Sequence, residues 1–162
     1  MSSPQFTHFD ETGASRMVDV TDKPVTRRTA RASALVRMQP ETLRQVRQRA
    51  LAKGDVLEVA RLAGIMAAKR TFELIPLCHV LVLDSVTIDF EFSDEQHLRI
   101  VAEAKVEAKT GVEMEAMTAA AVAALTVYDM CKAVDRSMVI ASIQLEEKSG
   151  GRSGLFRRED AK

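Results

Sequence analysis

Residues 86–92 read VTIDFEF, residues 93–96 SDEQ, and residues 98–108 LRIVAEAKVEA. Val86, Ile88, Phe90 and Phe92 alternate with polar residues, and Leu98, Ile100, Ala102, Ala104, Val106 and Ala108 with mostly polar ones. A period of two over each run places every apolar side chain on one face of a strand. Four polar residues between two such runs predict an antiparallel hairpin. One apolar and one polar face on each strand predicts a sheet covered by helices on one side only.

The flanks extend this core. Downstream, Thr110-Gly111-Val112-Glu113 has the spacing of a capping box and predicts a long Ala- and Met-rich helix over 111–134, then a last strand over 138–147. Upstream, residues 32–38 predict a short first strand and Pro40 the first turn of a helix, where its missing N–H does no harm. Leu43, Val46, Ala50 and Leu51 carry that helix to Lys53-Gly54. Asp55 with Glu58 predicts the cap of a second helix, with Val59, Leu62, Ala63, Met66 and Ala67 as its buried stripe. Gly64 in mid-helix costs about 1 kcal/mol relative to Ala, which close packing against another backbone would explain. A strand is expected from Val80. The order βααββαβ, with the helix pair as one unit, predicts an α+β, ferredoxin-like fold: an antiparallel four-stranded sheet with helices packed on one face. The expected organisation is a flexible arm over 1–30, a catalytic domain over 31–147, and a Gly-rich mobile tail over 148–162.

Of the 162 residues, 46% are apolar and 28% charged, enough for one globular domain. No apolar run of about 18 residues predicts a membrane span, and no basic-then-apolar leader opens the chain. With two cysteines, Cys78 and Cys131, no disulfide framework is available, so a cytoplasmic location is expected. The net charge of +0 hides a division. Residues 23–53 hold nine bases against one acid, whereas residues 54–115 hold twelve acids against six bases. The basic stretch suits an anionic ligand, a nucleic acid, an acidic protein surface, or plain solvation of a helix face.

Several residues stand out chemically. Cys78-His79 follows a proline-punctuated segment; with no CxxC or HxxxH pair nearby, no metal site is expected. His79 reads either as a hydrogen-bonded structural histidine or as a substrate-contacting group. Glu113 has a capping role available, whereas Glu115 stands in a small, apolar stretch without one. Asp129 and Lys132, one turn apart, are either an ion pair worth a few tenths of a kcal/mol or an acid and a base held on a rigid element. The loop from Lys148 to Gly154 offers backbone N–H groups and two cations to phosphate, or is a tail. It lacks the P-loop pattern.

Seven blocks taken together resemble one family, cyclic pyranopterin monophosphate synthase, of molybdenum cofactor biosynthesis. They are MVDV (17–20), KGDV (53–56), AGIMAAKRT (63–71), LIPLCH (74–79), KTGVEMEAM (109–117), LTVYDMCKA (125–133) and KSGGRSG (148–154). The resemblance runs from about residue 7 to 156 and implies a ferredoxin-like homohexamer, a trimer of dimers. It implies an activity that rearranges the cyclised GTP derivative 3′,8-cyclo-7,8-dihydroguanosine 5′-triphosphate to cyclic pyranopterin monophosphate and releases pyrophosphate. It assigns Asp129 and Lys132 as the catalytic acid/base pair, with Lys53 beside them. Leu77, Cys78, His79, Glu113, Met114 and Glu115 become site or substrate contacts, and Arg28 and Lys148 phosphate or site contacts. No cofactor or resident metal is implied, although Mg²⁺ can arrive on the triphosphate. Val80 stands where the family usually has Pro, which frees φ and adds a backbone donor. The same element order also fits an RNA- or nucleotide-binding module without catalysis, but base stacking needs aromatics on the sheet, and the strands supply only Phe90 and Phe92. No nucleic-acid or membrane partner is therefore expected.

Overall fold

A computed structural model describes residues 8–9, 12–49 and 54–158. The chain runs β1 (Thr26–Arg37), α1 (Pro40–Arg47), α2 (Val56–Ala68), a one-turn α3 (Thr71–Leu74), β2 (Ser85–Phe92), β3 (His97–Ala108), α4 (Glu113–Cys131), β4 (Val139–Ser149) and β5 (Phe156–Arg157). The strands form one antiparallel sheet in the order β2-β3-β1-β4-β5. Its first four strands have the ferredoxin-like arrangement, so the predicted α+β class is borne out, with two-residue β5 added at the β4 edge.

The predicted hairpin has the expected register, Phe92 opposite Leu98 and Val86 opposite Ala104. The same face continues through Ala30, Ala32, Ala34 and Val36 of β1 to Ile140, Ile143 and Leu145 of β4. Helix α4 lies across β1, β3 and β4, and α2 packs on α4 and β2. Alanines fill this layer: Ala116, Ala119, Ala120, Ala123 and Ala124 of α4 are buried in one cluster with the strands' Ala30, Ala32, Ala34, Ala102 and Ala104. Small side chains on both sides let the helix approach the sheet closely, because packing at interior density leaves no gap for larger ones. Gly64 is part of the same arrangement. A Cβ there would stand 2.8 Å from the Ala119 carbonyl oxygen and 3.3 Å from Ala123 Cβ, which is the close packing its position predicts.

Four local expectations are corrected. First, β1 begins at Thr26, not 32, because Thr26–Ala30 find partners on both sides, on β3 and from Thr29 onward on β4. Second, α1 ends at Arg47, and Arg49 takes a left-handed φ of 54°; the predicted extension to Lys53 falls partly outside the described residues. Third, the buried stripe of α2 is Val56, Ala60, Gly64, Ala67 and Ala68, whereas Val59, Leu62 and Met66 are exposed. Fourth, α4 starts at Glu113 behind an N-cap Val112 that makes no side-chain cap bond, so the Thr110–Glu113 box does not form. The Asp55 cap does form, accepting from the Leu57 and Glu58 N–H groups at 3.1 and 3.3 Å.

The strand expected from Val80 begins at Ser85, and Val80 lies exposed in the connection before it. Residues 148–149 complete β4, and the glycine loop that follows turns back to place Phe156 opposite Lys148. Phe90 and Phe92 sit on the helix-covered face, beneath the guanidinium groups of Arg61 and Arg47 at 5.2 and 4.5 Å from the ring centroids. The opposite face carries charge pairs such as Arg99 with Glu91 and Glu146, and no aromatic side chain of β1–β4.

Candidate active site

The turn Ile75-Pro76-Leu77-Cys78 closes with the Cys78 N–H on the Ile75 carbonyl at 3.1 Å, and Pro76 supplies the φ that position i+1 requires. The turn delivers half-buried Leu77, Cys78 and His79 beside the start of α4. Glu115, in the first turn of that helix, is only 4% exposed. Burial raises its carboxyl to about 7; the neighbouring Glu113 charge adds to the rise and its own amide N–H opposes it. Burial also pushes the Cys78 thiol up, and the Glu115 charge adds to it. Cys78 and Glu113 thus each interact with the Glu115 carboxyl, a cluster at the N-terminal end of α4.

Next to this cluster opens a cleft of about 640 Å³ whose wall includes Lys23, Arg28, Lys109 and Arg152, with Glu113 the one acid. The four cations come from four separate segments. Arg28 reaches the cleft because even-numbered residues of β1 face the helices. Its Nε donates to the Ala108 carbonyl at 3.3 Å and one Nη to the Lys109 carbonyl at 3.1 Å. Gly151 lies against this guanidinium, where a Cβ would collide with it, and has a φ of +70°. Lys148 Nζ bonds the Ser153 hydroxyl in the same wall. Thr26 Oγ1, buried in the wall, has no hydrogen-bond partner among the described residues. The predicted use of the whole basic stretch is corrected: Arg27, Arg31 and Arg37 face the helix-free side of the sheet, opposite Glu107, Glu103 and His97. Among the described bases of that stretch, Lys23 and Arg28 line the cleft.

His79 Nε2 lies 2.9 Å from the Val18 carbonyl oxygen. Asp129 and Lys132 form an exposed ion pair, Oδ1 to Nζ 2.6 Å, at the far end of α4. Fourteen residues of helix separate Glu115 from Asp129, about 21 Å at 1.5 Å per residue. A single chain therefore assembles Leu77, Cys78, His79, Glu113, Met114, Glu115, Arg28 and Lys148 around one end of α4 and leaves Asp129 and Lys132 at the other. Lys53 lies outside the described residues. Sequence reading singled out neither Lys23, Lys109 nor Thr26 as a site residue, whereas Arg152 is one of the two cations of the glycine loop; the signal for Lys109 was its place beside Thr110-Gly111. Among the described residues, no three His, Cys, Asp or Glu side chains are grouped to hold a metal, and no helix is long and apolar enough to cross a membrane.

Fold and cleft together define an α+β domain in which four cations line one cleft beside carboxyl groups. The profile of the MoaC family matches residues 17–151. Relatives called cyclic pyranopterin monophosphate synthase match nearly the whole chain. The Magnetococcus marinus protein is 61% identical over 155 residues, 94% of each chain. That of Thermomicrobium roseum is 62% identical over 158 residues, 96% of this chain and 95% of its own. The synthase 1 of Mycobacterium tuberculosis H37Rv is 60% identical over 152 residues, 94% of this chain and 89% of its own. This chain belongs to the MoaC family.

Proposed function

We propose that this chain converts 3′,8-cyclo-7,8-dihydroguanosine 5′-triphosphate to cyclic pyranopterin monophosphate and pyrophosphate, in molybdenum cofactor biosynthesis and in the cytoplasm. The observation that carries this reading is the cleft: Lys23, Arg28, Lys109 and Arg152 line it together with Glu113, two residues before the buried Glu115, whose carboxyl is raised to about 7. A triphosphate needs several cations, and the unpartnered Thr26 hydroxyl suits a phosphate oxygen. In forming the cyclic phosphate, a sugar-derived hydroxyl loses its proton to a base of the site as its oxygen attacks the α-phosphorus, the bond to the oxygen bridging to the β-phosphorus breaks, and pyrophosphate leaves. Charge develops on that leaving group and is met by the same cations. Rearranging the purine-derived ring requires repeated proton transfers, for which Glu115, Asp129, Lys132 and Lys53 are the proposed groups. Any Mg²⁺ would come in on the triphosphate. Incubation with the cyclised intermediate tests the reading: release of pyrophosphate with formation of cyclic pyranopterin monophosphate is expected, and neither product from an intact, folded preparation would reject it.

The separation of about 21 Å along α4 favours a site completed by a second copy, within the homohexamer that the family resemblance implies. The exposed apolar side chains of Val59, Leu62 and Met66 on α2 and Leu125 on α4 are in keeping with subunit contacts. Two-fold packing would bring one protomer's Asp129 and Lys132 towards its partner's cleft and generate two equivalent sites. Mixing inactive Glu115→Ala and Asp129→Ala proteins under subunit exchange tests this. Half the dimers formed at random are mixed, and each carries one intact site of two. About a quarter of wild-type activity should return; demonstrated exchange with no activity would mean that both residues come from one chain.

A further inference from the structure

The segment 17–23 forms no helix and no strand, yet it brings Lys23 to the cleft wall. Inside the segment, the Thr21 N–H donates to Asp19 Oδ1 at 2.8 Å and the Lys23 N–H to the Val20 carbonyl at 3.1 Å. These bonds shape the turn but do not attach it to the domain. Two side chains from the domain do so. His79 Nε2 meets the Val18 carbonyl at 2.9 Å, and Lys109 Nζ donates to the Thr21 carbonyl at 2.6 Å. A carbonyl only accepts, so Nε2 of His79 carries the proton in this bond. The two anchors sit on different elements, His79 after the Pro76 turn and Lys109 at the end of β3. Lys109 lines the cleft and has its own call on phosphate, whereas the His79 side chain is engaged with backbone.

We infer that His79 is a positioning residue whose imidazole fastens the 17–23 segment through the Val18 carbonyl and so holds Lys23 at the cleft. The inference rests on the proposed phosphate-bearing substrate only for its effect on turnover; the fastening itself is a property of the free protein. The fastening is a role of the imidazole in the substrate-free protein, beside the site role that the family resemblance assigns. One hydrogen bond between a side chain and a surface segment is worth about a five- to tenfold change in local opening.

Three variants test it. The side-chain N–H₂ of Gln reaches the position of imidazole Nε2, that of Asn is one methylene short, and Ala has no donor. Hydrogen exchange is followed at the Thr21 and Lys23 amides of the substrate-free full chain, with β3 amides as the control for intact folding. Exchange about five- to tenfold faster in His79→Ala and His79→Asn, and unchanged in His79→Gln, is expected. With the cyclised intermediate, His79→Ala should raise KM and weaken inhibition by inorganic pyrophosphate, with kcat changed less, and His79→Gln should restore both. Unchanged arm exchange in Ala and Asn, or a Gln variant as impaired as Ala, overturns the inference. If arm exchange follows the expected pattern but no variant, nor the wild type, forms pyrophosphate, the fastening stands and the substrate reading fails. Should the Ala protein lose β3 protection, the comparison of Asn with Gln decides alone.

Discussion

Glu115→Gln replaces a buried, acid-raised carboxyl with its neutral isostere. In the folded chain the carboxyl titrates near 7, against 4.5 for its ordinary value. The folded state therefore holds the proton more tightly than the unfolded state. Below about pH 4.5 both states are protonated and Glu115 contributes no pH-dependent penalty. Between 4.5 and 7 the unfolded chain ionises while the folded one does not, so stability falls as pH rises. Above 7 the loss is complete. At about 1.4 kcal/mol per unit, the loss is of the order of 3 kcal/mol. Gln cannot ionise, so the variant escapes the loss: its stability should match wild type near pH 4.5 and exceed it by about 3 kcal/mol at pH 8. Guanidinium unfolding followed by helix circular dichroism checks this, at one fixed protomer concentration because self-association makes midpoints concentration-dependent. The wild-type-minus-variant difference is read at each pH, which cancels the other titrating groups. A difference that stays flat from pH 4.5 to 8 would refute the argument that burial, with Glu113 beside it, holds the proton on Glu115. A difference of opposite sign would show that a cation faces the carboxyl in the assembled protein.

Asp129→Asn and Lys132→Ala should abolish pyrophosphate release while shifting the unfolding midpoint by no more than about 0–1 kcal/mol, since the pair is exposed; either variant retaining most of its turnover would remove the acid/base assignment. Gly64→Ala should destabilise by about 1–3 kcal/mol, measured by denaturant unfolding, because the added Cβ meets the Ala119 carbonyl and Ala123. Val80→Pro should keep or raise the melting temperature, by up to about 1 kcal/mol of stability, since Val80 is 70% exposed and its N–H makes no backbone bond among the described residues; a large loss would show that this connection cannot take the proline φ.

The β2–β3 hairpin was legible because its signal is local: a period of two and four polar residues between the runs determine which side chains share a face, whatever the rest of the chain does. The Asp55 cap was legible for the same reason, as the side chain and the amides it serves lie within three residues. The family was legible in seven blocks of sequence. The buried face of α2 was not. That helix carries apolar residues almost all round, Val56, Leu57, Val59, Leu62, Ile65 and Met66, so periodicity selects no single face. What selects it is the close approach of α4, which only Ala60, Gly64, Ala67 and Ala68 permit. The cleft was likewise beyond the sequence. Lys23, Arg28, Lys109 and Arg152 are distant in the chain, and sheet pairing, the β1 alternation and the glycine loop bring them together. The same alternation turns Arg27, Arg31 and Arg37 away from it, so charge that composition presents as one basic block is divided between two faces by the pleat of a single strand.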